Sequence, residues 1–206
     1  MGLRVRKRSG PAIPPMDAGT YAAVCVGVVD LGEQYSETFK KYSDKVLLIW
    51  EIPSQTVEVD GEQKPRWLSK DFAQSLNEKS NLYKFLLPWR GREFTREELD
   101  GGYDLRELLG TGCLLSVTVG DRDDGSKFNK IAAVIGLPEG LPAPATQTER
   151  IAFDLDAWDD AAFAALPEWV QDRIKKSTQY QKQHAPEDAL SLKGEATEAA
   201  EEECPI

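Results

Sequence analysis

The chain has 206 residues, 41% of them hydrophobic and 29% charged, with a formal net charge of −10. That length fits one domain with appendages or two small domains, and the composition supports a buried core while excluding collagen, coiled coil and disulfide scaffold. No apolar run approaches the ~20 residues that span a bilayer and no signal-peptide core opens the chain, so a soluble, unsecreted protein without a membrane partner is expected.

The three cysteines, Cys25, Cys113 and Cys204, are odd in number and far apart, which favours neither a disulfide framework nor a thiolate zinc site. Charge is unevenly distributed. Residues 1–19 hold Arg4, Arg6, Lys7 and Arg8 against Asp17, whereas residues 137–206 hold six basic against fifteen acidic side chains. Screening over about 8 Å at physiological salt lets a local basic groove coexist with a distant acidic segment, so net charge alone does not exclude nucleic acid.

Residues 1–19, with Pro11, Pro14 and Pro15 after the basic run, read as a basic flexible arm. Thr20–Val29 is β-branched and aromatic and reads as a first strand, after which residues 30–43 lose apolar periodicity and read as a long loop. Lys45–Ile52 is nearly continuous in apolar residues and reads as a second, buried strand that Pro53 should break. Asp60-Gly61 is a hairpin-turn signal leading into a third strand at about Arg66–Phe72. Asn81–Leu87 reads as a short amphipathic helix, Thr95 and Glu98 as a capping box, and Asp104–Leu109 as a helical turn ended by Gly110. Leu114–Val119 and Lys130–Ile135 are strands flanking the turn signal Asp124-Gly125.

Five short strands with a helical insert between the third and fourth predict a mainly β domain over residues 20–136, a five-stranded OB-fold Greek-key barrel. A parallel α/β sheet would need helical crossovers between most strands. Residues 137–150 carry three prolines and read as a linker. Residues 151–183 read as a helical C-terminal element, with Phe163, Leu166, Val170 and Ile174 spaced for one amphipathic helix over Asp159–Lys176 and Pro167 dividing it. Residues 184–206 read as a disordered acidic tail.

Catalysis is not expected. The single histidine, His184, falls in that tail, and a nucleophilic site needs a base beside Ser or Cys. Asp121, Asp123 and Asp124 lack the Gly and Glu spacing of a calcium loop, and neither a phosphate loop nor a dinucleotide fingerprint occurs, so no enzyme, metal or cofactor is expected. What remains is aromatic and basic residues interleaved where such a barrel is exposed, the combination that binds single strands through stacking and phosphate neutralisation. The stacking candidates are Tyr35, Phe39, Trp67, Phe72 and Phe128, and the phosphate candidates Lys40, Lys41, Lys70, Arg90, Arg92 and Lys127. Alternation on the third strand puts Arg66 and Lys70 on the face opposite Trp67.

The stretch from Ser75 to Val117, above all Trp89-Arg90-Gly91-Arg92, Phe94-Thr95 and Leu109-Gly110, followed by Lys127–Gly140, resembles a group of tailed-phage and prophage single-stranded DNA-binding proteins with an OB-fold. The ending Glu201, Glu202, Glu203, Cys204, Pro205, Ile206 is similar to the acidic tip of bacterial single-stranded DNA-binding proteins, departing from it at Cys204 and at Ile206, where an aromatic is usual. The resemblance implies sequence-independent binding of single-stranded DNA in phage replication or recombination, in the cytoplasm of a bacterial host. It also implies recruitment of replication and recombination proteins through that tip, with homo-oligomerisation left open. The alternative is a phage protein-interaction module, an adaptor or inhibitor of a host protein that holds it through the barrel and the Trp169 helix, with an acidic surface able to mimic DNA.

Overall fold

The structure is a computed structural model that describes residues 13–37, 39–59 and 61–184. The basic run at Arg4–Arg8 and the tip Glu201–Ile206 lie outside the described residues. Those described are mainly β: strands β1 (Gly19–Ser36), β2 (Lys41–Val59), β3 (Glu62–Ala73), β4 (Gly112–Asp121), β5 (Lys127–Gly136) and β6 (Ile151–Phe153). Helices α1 (Asn81–Arg90) and α2 (Arg96–Gly101) and a 3-10 turn (Leu105–Leu108) lie between β3 and β4, and α3 (Asp160–Ala165), α4 (Glu168–Ile174) and α5 (Thr178–Gln183) follow β6. The strands form one antiparallel sheet in the order β3-β2-β1-β4-β5, with β6 pairing β1 off that path. In register, Gly19 faces Val117 and Val24 faces Gly112, while the β4–β5 hairpin is bulged at Ser116/Val117. Two compact units emerge, residues 13–28 with 47–152 and residues 29–46 with 153–184.

In the first unit the apolar run of β2 supplies the core. Leu47, Leu48, Ile49, Trp50 and Ile52 are fully buried, each such side chain contributing about 1.5–3 kcal/mol relative to exposure. Helix α1 presents Phe85 and Trp89, one turn apart on one face, to Trp50 at ring distances of 5.7 Å each. Ser80 caps this helix by accepting from the Tyr83 N–H, and Gly91 closes it in the left-handed region at φ 66°. It runs through Pro88, beyond the expected end near Leu87. The reason is tertiary: Trp89 is buried and its Nε1 donates to Gly112 O at 3.2 Å, which holds the last turn in place.

The capping box is present, Thr95 Oγ1 accepting from Glu98 N and Glu98 from Thr95 N. The end strands of the sheet path approach each other, with Lys70 Nζ donating to Ile131 O at 3.0 Å and Arg66 donating to Asn129 Oδ1 at 3.4 Å.

Three expectations are corrected in these strands and connections. Residues 30–43 are no long loop, because β1 continues to Ser36 and β2 begins at Lys41. Nor does Pro53 break β2, which runs on to Val59; a strand accepts proline where that residue's missing N–H has no ladder role. Residues 137–150, read as a linker, are mostly exposed but are tied to the sheet near their end. Glu51, fully buried in β2, accepts from the Gln147 and Thr148 N–H groups at 2.8 and 3.0 Å, and Thr148 Oγ1 accepts from Trp67 Nε1 at 3.0 Å.

In the second unit the distal halves of β1 and β2 form a ribbon that packs on the C-terminal helices. Gln179 Oε1 accepts from Glu33 N at 2.8 Å, and Gln34 Nε2 donates to Arg173 O at 3.0 Å. Gly32 sits at φ +65°, and a Cβ there would lie 2.7–2.9 Å from Leu155, Gln179 and Ser177, so both conformation and space require glycine. Leu166, Val170 and Ile174 are buried as their spacing predicted. Pro167 divides the element as expected, α3 ending at Ala165 and α4 beginning at Glu168, and α5 follows unforeseen. His184, expected in the tail, stacks on Tyr180 at 4.0 Å with 12° between the rings.

Candidate nucleic-acid interface

At the end of the β1–β2 ribbon, Glu37, Phe39 and Lys40 lie in a turn, and Ser36 Oγ accepts from Phe39 N at 3.4 Å. Lys40 adopts φ +51°, a region uncommon for a side-chain-bearing residue outside Asn and Asp. Phe39 is 72% exposed. Tyr35 and Tyr42, on the two strands, are exposed as well and lie 5.1 Å apart, tilted by 56°. Four predicted residues, Tyr35, Phe39, Lys40 and Lys41, are therefore brought together here, and Tyr42 joins them. Tyr42 stands with them in the sequence too, directly after Lys41 in the same aromatic and basic stretch. Lys40 meets Glu37 at 3.3 Å with both side chains exposed, a pair of small energetic weight. Glu33, Glu37 and Asp44 balance Lys40, Lys41 and Lys45 in charge, so the tip offers aromatic surface with lysines rather than a strong positive field.

The predicted residues of the first unit separate by role. Phe72 is 3% exposed and packs on Phe85 at 4.8 Å; it is a core residue, and the expectation of a base-stacking ring there is corrected. Arg90 is corrected too. Its side chain is 6% exposed and ion-paired to Glu98, with the guanidinium 3.9 Å from the Phe94 ring and 4.5 Å from that of Tyr103. A buried arginine held between two rings and a carboxylate is committed to the fold.

Arg92 shares Glu98 at 3.0 Å and stays 56% exposed. The Thr95 backbone N–H, then Arg92 and Arg90, hold the Glu98 carboxyl down to about 2. Trp67 is half-buried and tied to Thr148, which leaves part of its ring at the surface.

Lys70 is half-buried at the β3–β5 seam, where its ammonium lies 4.8 Å from the Phe85 ring and 5.5 Å from that of Phe72. Burial lowers its pKa and the neighbouring Lys130 lowers it further. On the β4–β5 hairpin Phe128 is half-buried beneath the Arg122 guanidinium at 4.9 Å. Lys127 is exposed beside a turn containing Asp123 and Asp124, with Asp121 at the end of β4, and Asp124 closes that turn by accepting from Ser126 N at 2.9 Å. The seam thus brings Lys70 beside Ile131 and Lys130, while Phe128, under Arg122, and Lys127 lie nearer the β4–β5 turn, on opposite faces of β5.

No protein-family model matches the chain, and no curated protein matches it. Among the described residues no helix is long and apolar enough to cross a membrane.

Proposed function

We propose that this protein binds single-stranded DNA without sequence preference, in the replication or recombination of a bacteriophage, and performs no catalysis. The observation that carries the reading is the ribbon tip: Phe39 at 72% exposure, flanked by the exposed pair Tyr35 and Tyr42 and by Lys40 and Lys41. Large exposed rings beside ammonium groups stack on bases of any sequence while the lysines meet phosphates. A second support is topological. The sheet path β3-β2-β1-β4-β5, a helix between β3 and β4, and end strands that meet match the strand arrangement of the OB-fold, whose sheet face and hairpin loops commonly hold single strands. Lys70 on β3 and Lys127, Phe128 and Lys130 on β5 are the further residues this reading assigns to the single strand. Recruitment of replication and recombination proteins is assigned to the acidic stretch with Glu201, Glu202, Glu203, Pro205 and Ile206.

A second reading, a module that holds a host protein, is favoured by one observation: Trp169 on α4 is 43% exposed, and exposed tryptophans often anchor protein interfaces. Mutation separates the two. Since stacking is worth about 1–3 kcal/mol per base, Phe39→Ala or Tyr42→Ala should weaken oligo-dT binding by about 5- to 150-fold, whereas Trp169→Ala should leave it unchanged. No salt-sensitive oligo-dT binding by the parent chain, with Trp169→Ala weakening capture of a protein partner, would turn the assignment to the second reading.

A further inference from the structure

Arg66 on β3 is a buried cation satisfied by neutral oxygens. It is 9% exposed, and among the described residues its acceptors are Pro14 O, at 2.8 Å from one terminal nitrogen, and Asn129 Oδ1, at 3.4 Å from the other. Its Nε is buried and meets no acceptor. Burial lowers its pKa, and among the described residues no carboxylate pairs with it. A buried charge is ordinarily matched by an opposite one, so a guanidinium held by neutral groups alone is open to a stronger acceptor. Lys70, two residues along the same face of β3, likewise donates to a neutral carbonyl, Ile131 O, at 3.0 Å.

What covers Arg66 is the chain itself. Ahead of β1, Met16 is buried; its N–H donates to Asn129 Oδ1 at 2.9 Å and its carbonyl accepts from Asn129 Nδ2 at 2.8 Å. Asn129 on β5 thus latches the segment with both halves of one side-chain amide, while the Pro14 carbonyl rests on Arg66. The rest of the segment is loosely held, with Ile13 51% exposed and Pro14, Pro15 and Asp17 exposed as well. Pro14 and Pro15 carry no N–H, so the segment has no donors with which to join β3 or β5, the two end strands of the sheet path, as a further strand. A strap held in this way can lift without breaking a ladder.

We propose that residues 14–16 are a displaceable strap over a phosphate site, and that a single strand laid in the β3–β5 seam takes the place of the Pro14 carbonyl on Arg66. The proposal rests on the single-stranded DNA reading above and adds to it a contact residue and a regulatory step. A phosphate is anionic and accepts two parallel bonds from a guanidinium where the carbonyl accepts one, so the exchange gives Arg66 the charge partner it lacks. The hold of Asn129 on Met16 sets how much binding is held back, because a competent state that is only fractionally populated weakens apparent affinity by that fraction.

The test uses the full-length chain and labelled oligo-dT of about 30 nucleotides, followed by anisotropy between 50 and 200 mM salt and by hydrogen exchange. The Met16 amide reports the strap directly, since it donates to Asn129; it should lose protection in the complex. Asn129→Ala removes two hydrogen bonds from the strap and no charge, and should tighten binding by about 5- to 150-fold. Met16→Ala, which loosens the strap from its other side, should shift affinity in the same direction. Arg66→Gln should make the slope of log K against log salt shallower by about 0.7, the share of one phosphate on a single strand, and in that background Asn129→Ala should no longer tighten binding.

Met16 protection kept in the complex, with Asn129→Ala and Met16→Ala binding no tighter than the parent, would overturn the inference and make the strap a fixed part of the fold. In that case oligo-dT binding by the parent leaves the DNA reading standing. Failure of the parent chain to bind oligo-dT would instead defeat the DNA reading, and the strap's role with it.

Discussion

Glu51→Gln probes how residues 137–150 are held. Glu51 is fully buried in β2, and its two carboxylate oxygens accept from separate backbone N–H groups, Gln147 at 2.8 Å and Thr148 at 3.0 Å. Glutamine preserves the volume, so packing is unchanged and only hydrogen bonding is tested. The amide oxygen can take one of the two N–H groups, while the amide nitrogen, itself a donor, faces the other. One charge-assisted bond, worth about 1.5–3 kcal/mol, is lost and one donor is left without its acceptor.

The expected destabilisation is about 2–3 kcal/mol. For a chain of this size that corresponds to a drop of about 5–10 °C in Tm. Hydrogen exchange should localise the effect: the Gln147 and Thr148 amides lose protection, and the Trp67 Nε1 proton shifts because its acceptor is the Thr148 hydroxyl. A Tm within about 1 °C of the parent, with unchanged protection at both amides, would refute the reasoning and make residues 137–150 a free connection after all.

Two further outcomes follow from the same structure. Phe72→Ala should cost about 3–5 kcal/mol as a core truncation against Phe85, whereas Phe39→Ala at the ribbon tip should leave Tm unchanged; paired thermal melts decide this, and equal losses would contradict the division of roles. Acid unfolding provides the second. Glu98 is held at about 2, below its ordinary 4.5, chiefly by the Thr95 N–H and then by Arg92 and Arg90. A depressed carboxyl stabilises the fold above its unfolded pKa, and that contribution is lost as pH falls from about 4.5 toward 2. Glu98→Gln should accordingly flatten the fall of Tm between pH 5 and 2.5, and an unaltered profile would argue against the Arg90–Glu98–Arg92 arrangement.

Local signals in the chain were legible. Gly61 and Asp124-Gly125 mark the β2–β3 and β4–β5 turns by dihedral preference, Thr95 and Glu98 announce their own cap, and the apolar run of β2 is a strand wherever it is placed. The features that escaped depend on partners far along the chain. Gly32, Glu33 and Gln34 show no strand character because their order comes from Gln179, Arg173 and a glycine conformation, contacts that no window of sequence contains. The prolines of residues 137–150 point to a linker, and only the distant carboxylate of Glu51 overrides them.

The candidate site divides in the same way. Phe39, Lys40 and Lys41 were visible as an aromatic among lysines in a polar stretch. By contrast, Phe72 and Arg90 carry the right side chains but are withdrawn by Phe85 and by Glu98, Phe94 and Tyr103, because residue type does not reveal which face a strand or helix buries. Arg66 and Asn129 escaped for the opposite reason, since their meaning lies in the backbone of residues 14–16.

The central claim is tested most directly by titrating the full chain into labelled oligo-dT of about 30 nucleotides at two salt concentrations, beside a duplex of equal length. The account predicts binding to the single strand alone, weakening steeply as salt rises. No binding to the single strand at low salt, or equal affinity for the duplex, would contradict it.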